Sequence, residues 1–476
     1  GTTMSITTRG TRVALLALAL AACGDDGGGT GPIDAGPDAG DATPAPDAAE
    51  GLTTVATIPS ELNRALDLLL VVDNSSGMLE EQASLSANLP VLINVLNTAP
   101  GGLPDVHIGV VSTNVGTGGV NIGGCSTATR PQGDDGNLQT TGCPGPQAAF
   151  LEDLRNPDGS RVRNYSGDLA TLLSCMTRLG TTGCGYEQPL EAMKRALSAG
   201  RNPGFLRPGA LLGVLIVTDE DDCSAIDGGA MFGDPNGTIS SPLGPRTSFR
   251  CFEFGVQCAG DTIPRAFGTK TGCVPRAASP YMQSVQSYVD FLRGLKADPT
   301  QVVVSTIAGN VDPARTAVVG PDPDDTTRPT LEASCFSANG YAAPALRLRT
   351  FLDGFPERSA ASTICNDNLG DALAEFGALV RRAQGDPCIH ATLADVDPAN
   401  SGVQVRCEVT QYTVVGGVRT DPVGLPACGA GGPPCWQLAA DPVQCPSTSE
   451  SQALEIVRTG PAPAGSVVEA RCQIEP

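Results

Sequence analysis

The strongest constraint on the fold is a series of nearly continuous apolar runs that alternate with segments of helical periodicity. Because both faces of a parallel sheet are covered, its strands are apolar throughout and do not alternate. Four such runs are predicted strands: Leu66–Val72, Val106–Ser112, Leu211–Asp222 (which ends in acidic residues) and Val302–Ala308. The predicted helices are Leu79–Leu96, Leu169–Leu179, Glu187–Leu197, Tyr281–Leu295, Ala342–Phe355 and Leu369–Arg382.

This alternation predicts an α/β fold over residues 60–385, with a doubly wound, mostly parallel sheet and helices on both faces. Two stretches rich in Gly, Pro and Cys, about 115–165 and 222–278, interrupt the pattern. Loops of that length need internal support, so they are interpreted as insertions pinned by disulfides. From residue 386 the helical periodicity stops, and short alternating runs predict a small β-rich disulfide domain over 386–476.

The N-terminal residues have the features of an export signal. Arg9 and Arg12 precede a short apolar run that ends in Leu20-Ala21-Ala22-Cys23. The run is too short to span a bilayer, which is typical of a signal peptide. The final tetrapeptide resembles a bacterial lipobox, which implies cleavage after residue 22 and lipidation of Cys23. A plain signal peptide with an incidental cysteine is the alternative.

The segment after Cys23 is almost free of bulky apolar residues. Residues 23–59 begin with a stretch dominated by Gly, Ala, Pro and Asp, a composition that cannot bury enough surface to fold. It is interpreted as a disordered acidic tether. With the lipobox, it predicts a protein of the bacterial cell envelope, anchored to a membrane and facing the periplasm or the cell surface.

The cysteine count agrees with export. The chain has 17 cysteines, and setting Cys23 aside leaves an even number, as expected for disulfides in an oxidising compartment. Sequence alone cannot fix the connectivity. The spacing favours local partners: Cys175 with Cys184 across a short Gly-rich turn, and Cys125 with Cys143 across another loop.

Charge and histidine content exclude several classes of function. A net charge of -21 opposes binding to nucleic acid and to anionic lipid. The two histidines, His107 and His390, are far apart, so the H-E-x-x-H zinc motif is absent. Any metal would therefore have oxygen ligands, which favours Mg²⁺, Mn²⁺ or Ca²⁺.

Acidic and hydroxyl residues follow the predicted strands. Asp73 and Ser75 come after the first strand and Asp219 after another, with a turn bearing Thr181 and Thr182 between them in sequence. Ligands of open parallel sheets bind beyond the carboxyl ends of the strands. These side chains are therefore expected to converge, and the set suits a hard, six-coordinate cation.

At these residues the chain resembles the von Willebrand factor type A (vWA) domain, in a secreted bacterial lipoprotein branch that carries a "TDEDDC" segment. The resemblance implies a metal-ion-dependent adhesion site with Asp73, Ser75, Thr182 and Asp219 as ligands and Thr181 or Ser76 as alternatives. One coordination position would stay open for a partner's carboxylate. The pattern departs at Gly77, where D-x-S-x-S requires serine. Either Ser76 or a water fills the gap, or the site is weakened or inactive and "DNSSG" is a helix-capping turn.

Three functions follow from these observations. The first is a lipid-anchored binding or adhesion protein whose vWA-like domain holds a divalent cation and binds a protein ligand through a carboxylate. The second is a metal-free scaffold of the cell envelope. The third is a metal-dependent hydrolase, which no nucleophile–base pair or catalytic motif in the sequence supports. The prediction is therefore that the protein is not an enzyme.

Overall fold

The computed structural model describes most of the chain from Thr53 onwards. The described residues are 53–59, 63–99, 102–140, 142–226, 229–338, 340–399, 404–415, 418–429, 432–440, 445, 452–460, 462–463 and 465–475. The predicted signal peptide, Cys23 and the tether as far as residue 52 lie outside them.

The strands are β1 (Thr53–Pro59), β2 (Ala65–Val72), β3 (Asp105–Ser112), β4 (Leu151–Arg155), β5 (Arg161–Arg163), β6 (Leu211–Val217), β7 (Val256–Gln257), β8 (Gly268–Lys270), β9 (Val274–Pro275), β10 (Val302–Ala308), β11 (Ala317–Pro321), β12 (Pro329–Leu331), β13 (Cys335–Phe336), β14 (Tyr341–Ala342), β15 (Ser359–Thr363), β16 (Cys407–Val415), β17 (Val418–Gly424), β18 (Cys435–Ala440), β19 (Gln452–Val457) and β20 (Ser466–Gln473). The α-helices are α1 (Leu79–Asn97), α2 (Leu169–Met176), α3 (Pro189–Leu197), α4 (Phe249–Gly255), α5 (Val285–Gly294), α6 (Leu346–Asp353) and α7 (Gly370–Gln384). Short 3₁₀ helices cover Ala230–Phe232 and Pro299–Gln301.

A seven-stranded sheet in the order β15-β10-β6-β2-β3-β4-β5 forms the centre of the fold. The pairs from β15 across to β3 are parallel, whereas β4 and β5 continue the sheet as antiparallel strands. The predicted mixed α/β class with a mostly parallel sheet is therefore confirmed. The stretch 115–165 is not purely an insertion, because it supplies β4 and β5 to the sheet edge.

Strand β2 shows why its sequence is apolar throughout. Leu68 and Leu70 belong to a buried cluster that includes residues of α1, α2 and α7, while Leu69 and Val71 belong to a second cluster with residues of α3, α5 and α6. Successive side chains of a strand point to opposite faces, so each face needs its own apolar set. Each fully buried leucine contributes about 1.5–3 kcal/mol.

A second, antiparallel sheet has the order β1-β20-β16-β17, and β18 pairs with β19 beside it. Residues 386–476 supply β16 to β20, and their assignment as a separate small domain stays a prediction. The first strand of the sheet differs from expectation, because Thr53–Pro59 falls inside the segment 23–59 predicted to be a disordered tether. Strand β1 pairs along its length with β20, and this long-range pairing explains why local composition misplaced the end of the tether.

All sixteen cysteines after Cys23 form disulfides, as their even number predicts. The bonds are Cys125–Cys184, Cys143–Cys175, Cys223–Cys251, Cys258–Cys273, Cys335–Cys365, Cys388–Cys445, Cys407–Cys472 and Cys428–Cys435. The local pairings predicted for Cys175 with Cys184 and for Cys125 with Cys143 are wrong. Cys125 is instead bonded to the turn before α3 and Cys143 to helix α2, because these segments meet in space although they are distant in sequence.

None of the described helices is both long and apolar enough to cross a membrane.

Candidate metal site

Asp73 lies directly after β2, at the edge of the sheet where the parallel strands end. Its side chain is fully buried, and its backbone N donates to the carbonyl O of Val217 in β6 (2.9 Å). Its Oδ1 accepts from the backbone N of Ser75 (2.7 Å), and its Oδ2 accepts from Oγ1 of Thr218 (2.7 Å). The carboxylate is thus fixed by the strand ends themselves. Burial raises the pKa of Asp73 to about 6.

The threonine hydroxyls near Asp73 differ from those expected. Thr218 follows β6, and Oγ1 of Thr113, just after β3, lies 3.4 Å from Oδ1 of Asp73. Thr182 is exposed, although the backbone N of the next residue, Gly183, donates to the carbonyl O of Asn74 (2.8 Å). The threonine-bearing turn therefore lies beside the Asp73 turn, while the hydroxyls on Asp73 come from the ends of two strands.

Asp219 faces the Asp73 turn across Gly77. A Cβ placed on Gly77 would lie 2.2 Å from Oδ2 of Asp219, so the Asp219 carboxylate occupies the space that a side chain at position 77 would need. Oδ1 of Asp219 is buried without a hydrogen-bond partner. Burial, then the charges of Asp73, Glu220 and Glu81, raise the pKa of Asp219 to about 9. Gly77 therefore gives this acid access to the position where the family pattern has serine.

Glu187, just before α3, is an acidic residue of the site that sequence reasoning missed. It is 1% exposed, and both of its carboxylate oxygens are buried without a hydrogen-bond partner. Burial, then the charge of Glu220, whose carboxylate lies within hydrogen-bonding reach, and the charges of Asp73 and Asp219 raise its pKa well above the usual value for glutamate. The carboxylates of Glu187 and Glu220 therefore need a proton or a cation between them, because two ionised carboxylates can only accept hydrogen bonds.

A cavity of about 220 Å³ opens onto these acids. Its lining includes Ser75, Ser76, Gly77, Glu187, Asp219 and Glu220, with Phe249, Phe252 and Tyr341 among the apolar walls. Its described lining contains no Lys, Arg or His. Buried unpaired carboxylates are costly, and such groups are normally paired or bound to metal. The donor set, carboxylates with serine hydroxyls, is the one that Mg²⁺, Mn²⁺ and Ca²⁺ prefer.

The four acids of "DEDD" divide into two pairs with different roles. All four line the cavity, and Asp219 and Glu220 belong to the acidic group with Glu187. Asp221 accepts from the backbone N of Arg347 (2.8 Å) at the first turn of α6, and Asp222 forms a buried ion pair with the same residue (2.9 Å). The second pair therefore holds the loop, while the first pair faces the candidate metal position.

One other group of potential metal ligands lies among the described residues. Asp386, Cys388 and His390 have candidate ligand atoms within 4.8 Å of one another. The sulfur of Cys388 is bonded to Cys445, so no thiolate is available there. Oδ2 of Asp386 already lies 2.8 Å from Arg381 and 2.7 Å from Nε2 of His390. We interpret this group as an ion-paired support for the end of α7.

Comparisons with known proteins add little to this geometry. No family model and no curated protein matches the chain. Among solved structures, the human COPII-coat protein Sec24c is similar at 11% identity and a TM-score of 0.27, covering 87% of this chain. The chain spans 40% of the length of that structure. A similarity of this size supports no argument about fold or function.

Proposed function

We propose that the protein is a binding protein whose vWA-like, doubly wound domain holds a divalent cation, Mg²⁺ or Mn²⁺, at the acidic end of the central sheet. The observation that supports this is the set of buried carboxylate oxygens without partners: both of Glu187 and Oδ1 of Asp219. Asp73, Ser75 and Asp219 are the proposed core of the site, with Glu187 and Glu220 beside them. A ligand role for Thr182 stays a prediction.

The cation would give the cavity a positive centre that can accept an oxygen ligand from outside the chain. A carboxylate of a protein partner is the proposed ligand, because the cavity is open to solvent and its apolar walls can contact a neighbouring side chain. Without the cation, the same acids would repel a carboxylate. Partner binding is therefore proposed to depend on metal.

The other proposed functions make different predictions. An inert scaffold with this fold would show no response to metal, and its buried carboxyl groups would instead stay protonated. A metal-dependent hydrolase would also bind metal, but it needs a base positioned for an attacking water, and we assign no such residue. Binding therefore remains the preferred proposal.

We propose the cell envelope as the location. The disulfides support an oxidising compartment outside the cytosol. The lipid anchor rests on the Leu20–Cys23 motif alone. Mass spectrometry of the mature N-terminus tests it, and an unmodified terminus at another residue would contradict it.

A pair of glycine substitutions tests the metal site. Gly77→Ala is expected to weaken Mn²⁺ binding by about tenfold or more, because its methyl group must displace the Asp219 carboxylate, and tenfold is about 1.4 kcal/mol. Gly185→Ala is the matched control, since it lines the same cavity but a Cβ there meets no atom within 4 Å. Titration calorimetry with Mn²⁺ measures both variants. No binding to the wild type would favour the metal-free scaffold. Equal binding by both variants would show that Asp219 is not a metal ligand.

A further inference from the structure

A second cavity, of about 230 Å³, lies between the antiparallel sheet and the helical part of the protein. It is bordered by β1, β17 and β20 on one side and by α7 and the residues before β15 on the other. Four arginines line it: Arg358, Arg382, Arg419 and Arg471. The chain has 51 acidic and 30 basic residues, so a group of four arginines around one cavity is contrary to its overall charge.

The acids in this cavity do not balance the arginines. Glu469 is 5% exposed and accepts from both Arg419 (2.6 Å) and Arg471 (2.8 Å). Its single charge is therefore shared by two guanidinium groups. Glu357 is the other acid in the lining, and it is exposed to solvent, where its charge is screened. The cavity keeps an excess of positive charge.

Arg358 and Arg382 form no side-chain hydrogen bond and no ion pair with any described residue. Arg358 is half-buried, and its pKa is lowered by burial and by the positive charges of Arg419 and Arg382, against the opposing effect of Asp298 and Glu357. Arg382 lies in the last turn of α7, where the helix dipole and the nearby charges of Asp386 and Glu375 favour a cation. The dipole explains Arg382 but not Arg358, which lies outside any helix.

We propose that this cavity is a binding site for a phosphate-type oxyanion, held by Arg358 and Arg382 with help from Arg419 and Arg471. Planar guanidinium groups donate paired hydrogen bonds that match phosphate oxygens, and a dianion would balance the two unpaired arginines. Arg419 and Arg471 lie in the antiparallel sheet and Arg382 in α7, so the anion would also join that sheet to the helix. The phosphate is either free or part of a lipid headgroup.

Calorimetric titration of the full chain with inorganic phosphate, at constant ionic strength, tests the proposal. We expect binding to the wild type and a loss of about tenfold or more in Arg358→Gln/Arg382→Gln, since each variant residue loses charge-assisted hydrogen bonds. Arg130→Gln/Arg328→Gln is the control, because it removes the same charge from exposed arginines that pair locally with Asp134 and Asp325. No binding to the wild type, or an equal loss in both variants, would overturn the proposal.

A second measurement uses the wild-type protein alone, so it does not depend on whether the variants fold. Phosphate should slow the reaction of phenylglyoxal with Arg358 and Arg382, as mapped by mass spectrometry, but not with Arg130. Unprotected Arg358 and Arg382 would contradict the proposal even if the variants fail to fold.

Vesicles of phosphatidylcholine with and without phosphatidic acid then distinguish a lipid headgroup from a free phosphate. Retention on phosphatidic acid that requires Arg358 and Arg382 identifies a headgroup, and phosphate binding without retention identifies a free phosphate.

Discussion

Replacing Arg347 with leucine is expected to lower the free energy of unfolding by about 3–5 kcal/mol. Arg347 and Asp222 are 1% and 0% exposed, and their side chains meet at 2.9 Å. The substitution leaves the Asp222 carboxylate buried without its cation. It also frees the carbonyl O of Gln283, which accepts from the same guanidinium (2.9 Å). An isolated buried charge costs far more than a solvated pair contributes.

The matched control is Arg349→Leu on the same helix. Arg349 pairs with Asp353 at 3.2 Å, and the two side chains are 48% and 40% exposed. Exposed pairs of this kind contribute about 0.2–1 kcal/mol. Guanidinium unfolding of both variants, with the disulfides intact, measures the difference. If Arg347→Leu costs no more than Arg349→Leu, Arg347 is not what holds the acidic loop in place.

Glu187→Gln is expected to stabilise the metal-free protein while it weakens the metal response. Glu187 is buried with both carboxylate oxygens unpaired, whereas a neutral amide removes the charge and can donate to Glu220. We expect a gain of about 1–3 kcal/mol at about pH 8, the usual cost of an unsatisfied buried group. Such a gain would indicate that Glu187 lowers stability in return for binding. Destabilisation together with an unchanged Mn²⁺ affinity would contradict this role.

Asp73 and Asp219 make the free energy of unfolding depend on pH in a predictable direction. The folded-state pKa values of Asp73 and Asp219, about 6 and about 9, lie above the ordinary aspartate value of 3.8. Between about pH 4 and 9 the folded state therefore holds more protons than the unfolded state, and stability falls as pH rises. A divalent cation replaces those protons, so its stabilising effect should be larger at about pH 8 than at about pH 5. Thermal melts with Mn²⁺ or EDTA at both pH values measure it.

Much of the central sheet was predictable because its strands carry their own signal. The apolar runs of β2, β6 and β10 are long and uninterrupted, as two-sided burial demands. Strand β15, Ser359–Thr363, was missed because it lies at the sheet edge and consists of small and polar residues. The wrong end of the predicted tether and the two wrong disulfide pairings have the same cause. Pairings between distant segments depend on tertiary contacts that local composition does not encode.

The candidate site was predictable only where it coincides with strand ends. Asp73 and Asp219 follow apolar runs, so their positions at the sheet edge followed from topology. Glu187 was assigned to a predicted helix over Glu187–Leu197, but α3 begins at Pro189. Proline at the first helical position marks a helix start, and this signal could have placed Glu187 in the preceding turn. The role of Gly77 could not be predicted. The sequence shows that a side chain is absent at this position, but not that the Asp219 carboxylate occupies its space.

The position of a bound cation, in a crystal of the full chain grown with Mn²⁺, tests the proposed metal site most directly. We expect one anomalous-scattering peak at the end of the central sheet, with oxygens of Ser75, Asp219 or Glu187 as direct ligands at distances typical of hard cations, roughly 2.0–2.6 Å. Soaking such a crystal with EDTA should remove the peak. An ordered cation elsewhere, or a well-defined Asp73–Asp219 edge without any peak at saturating Mn²⁺, would contradict a metal site at this edge.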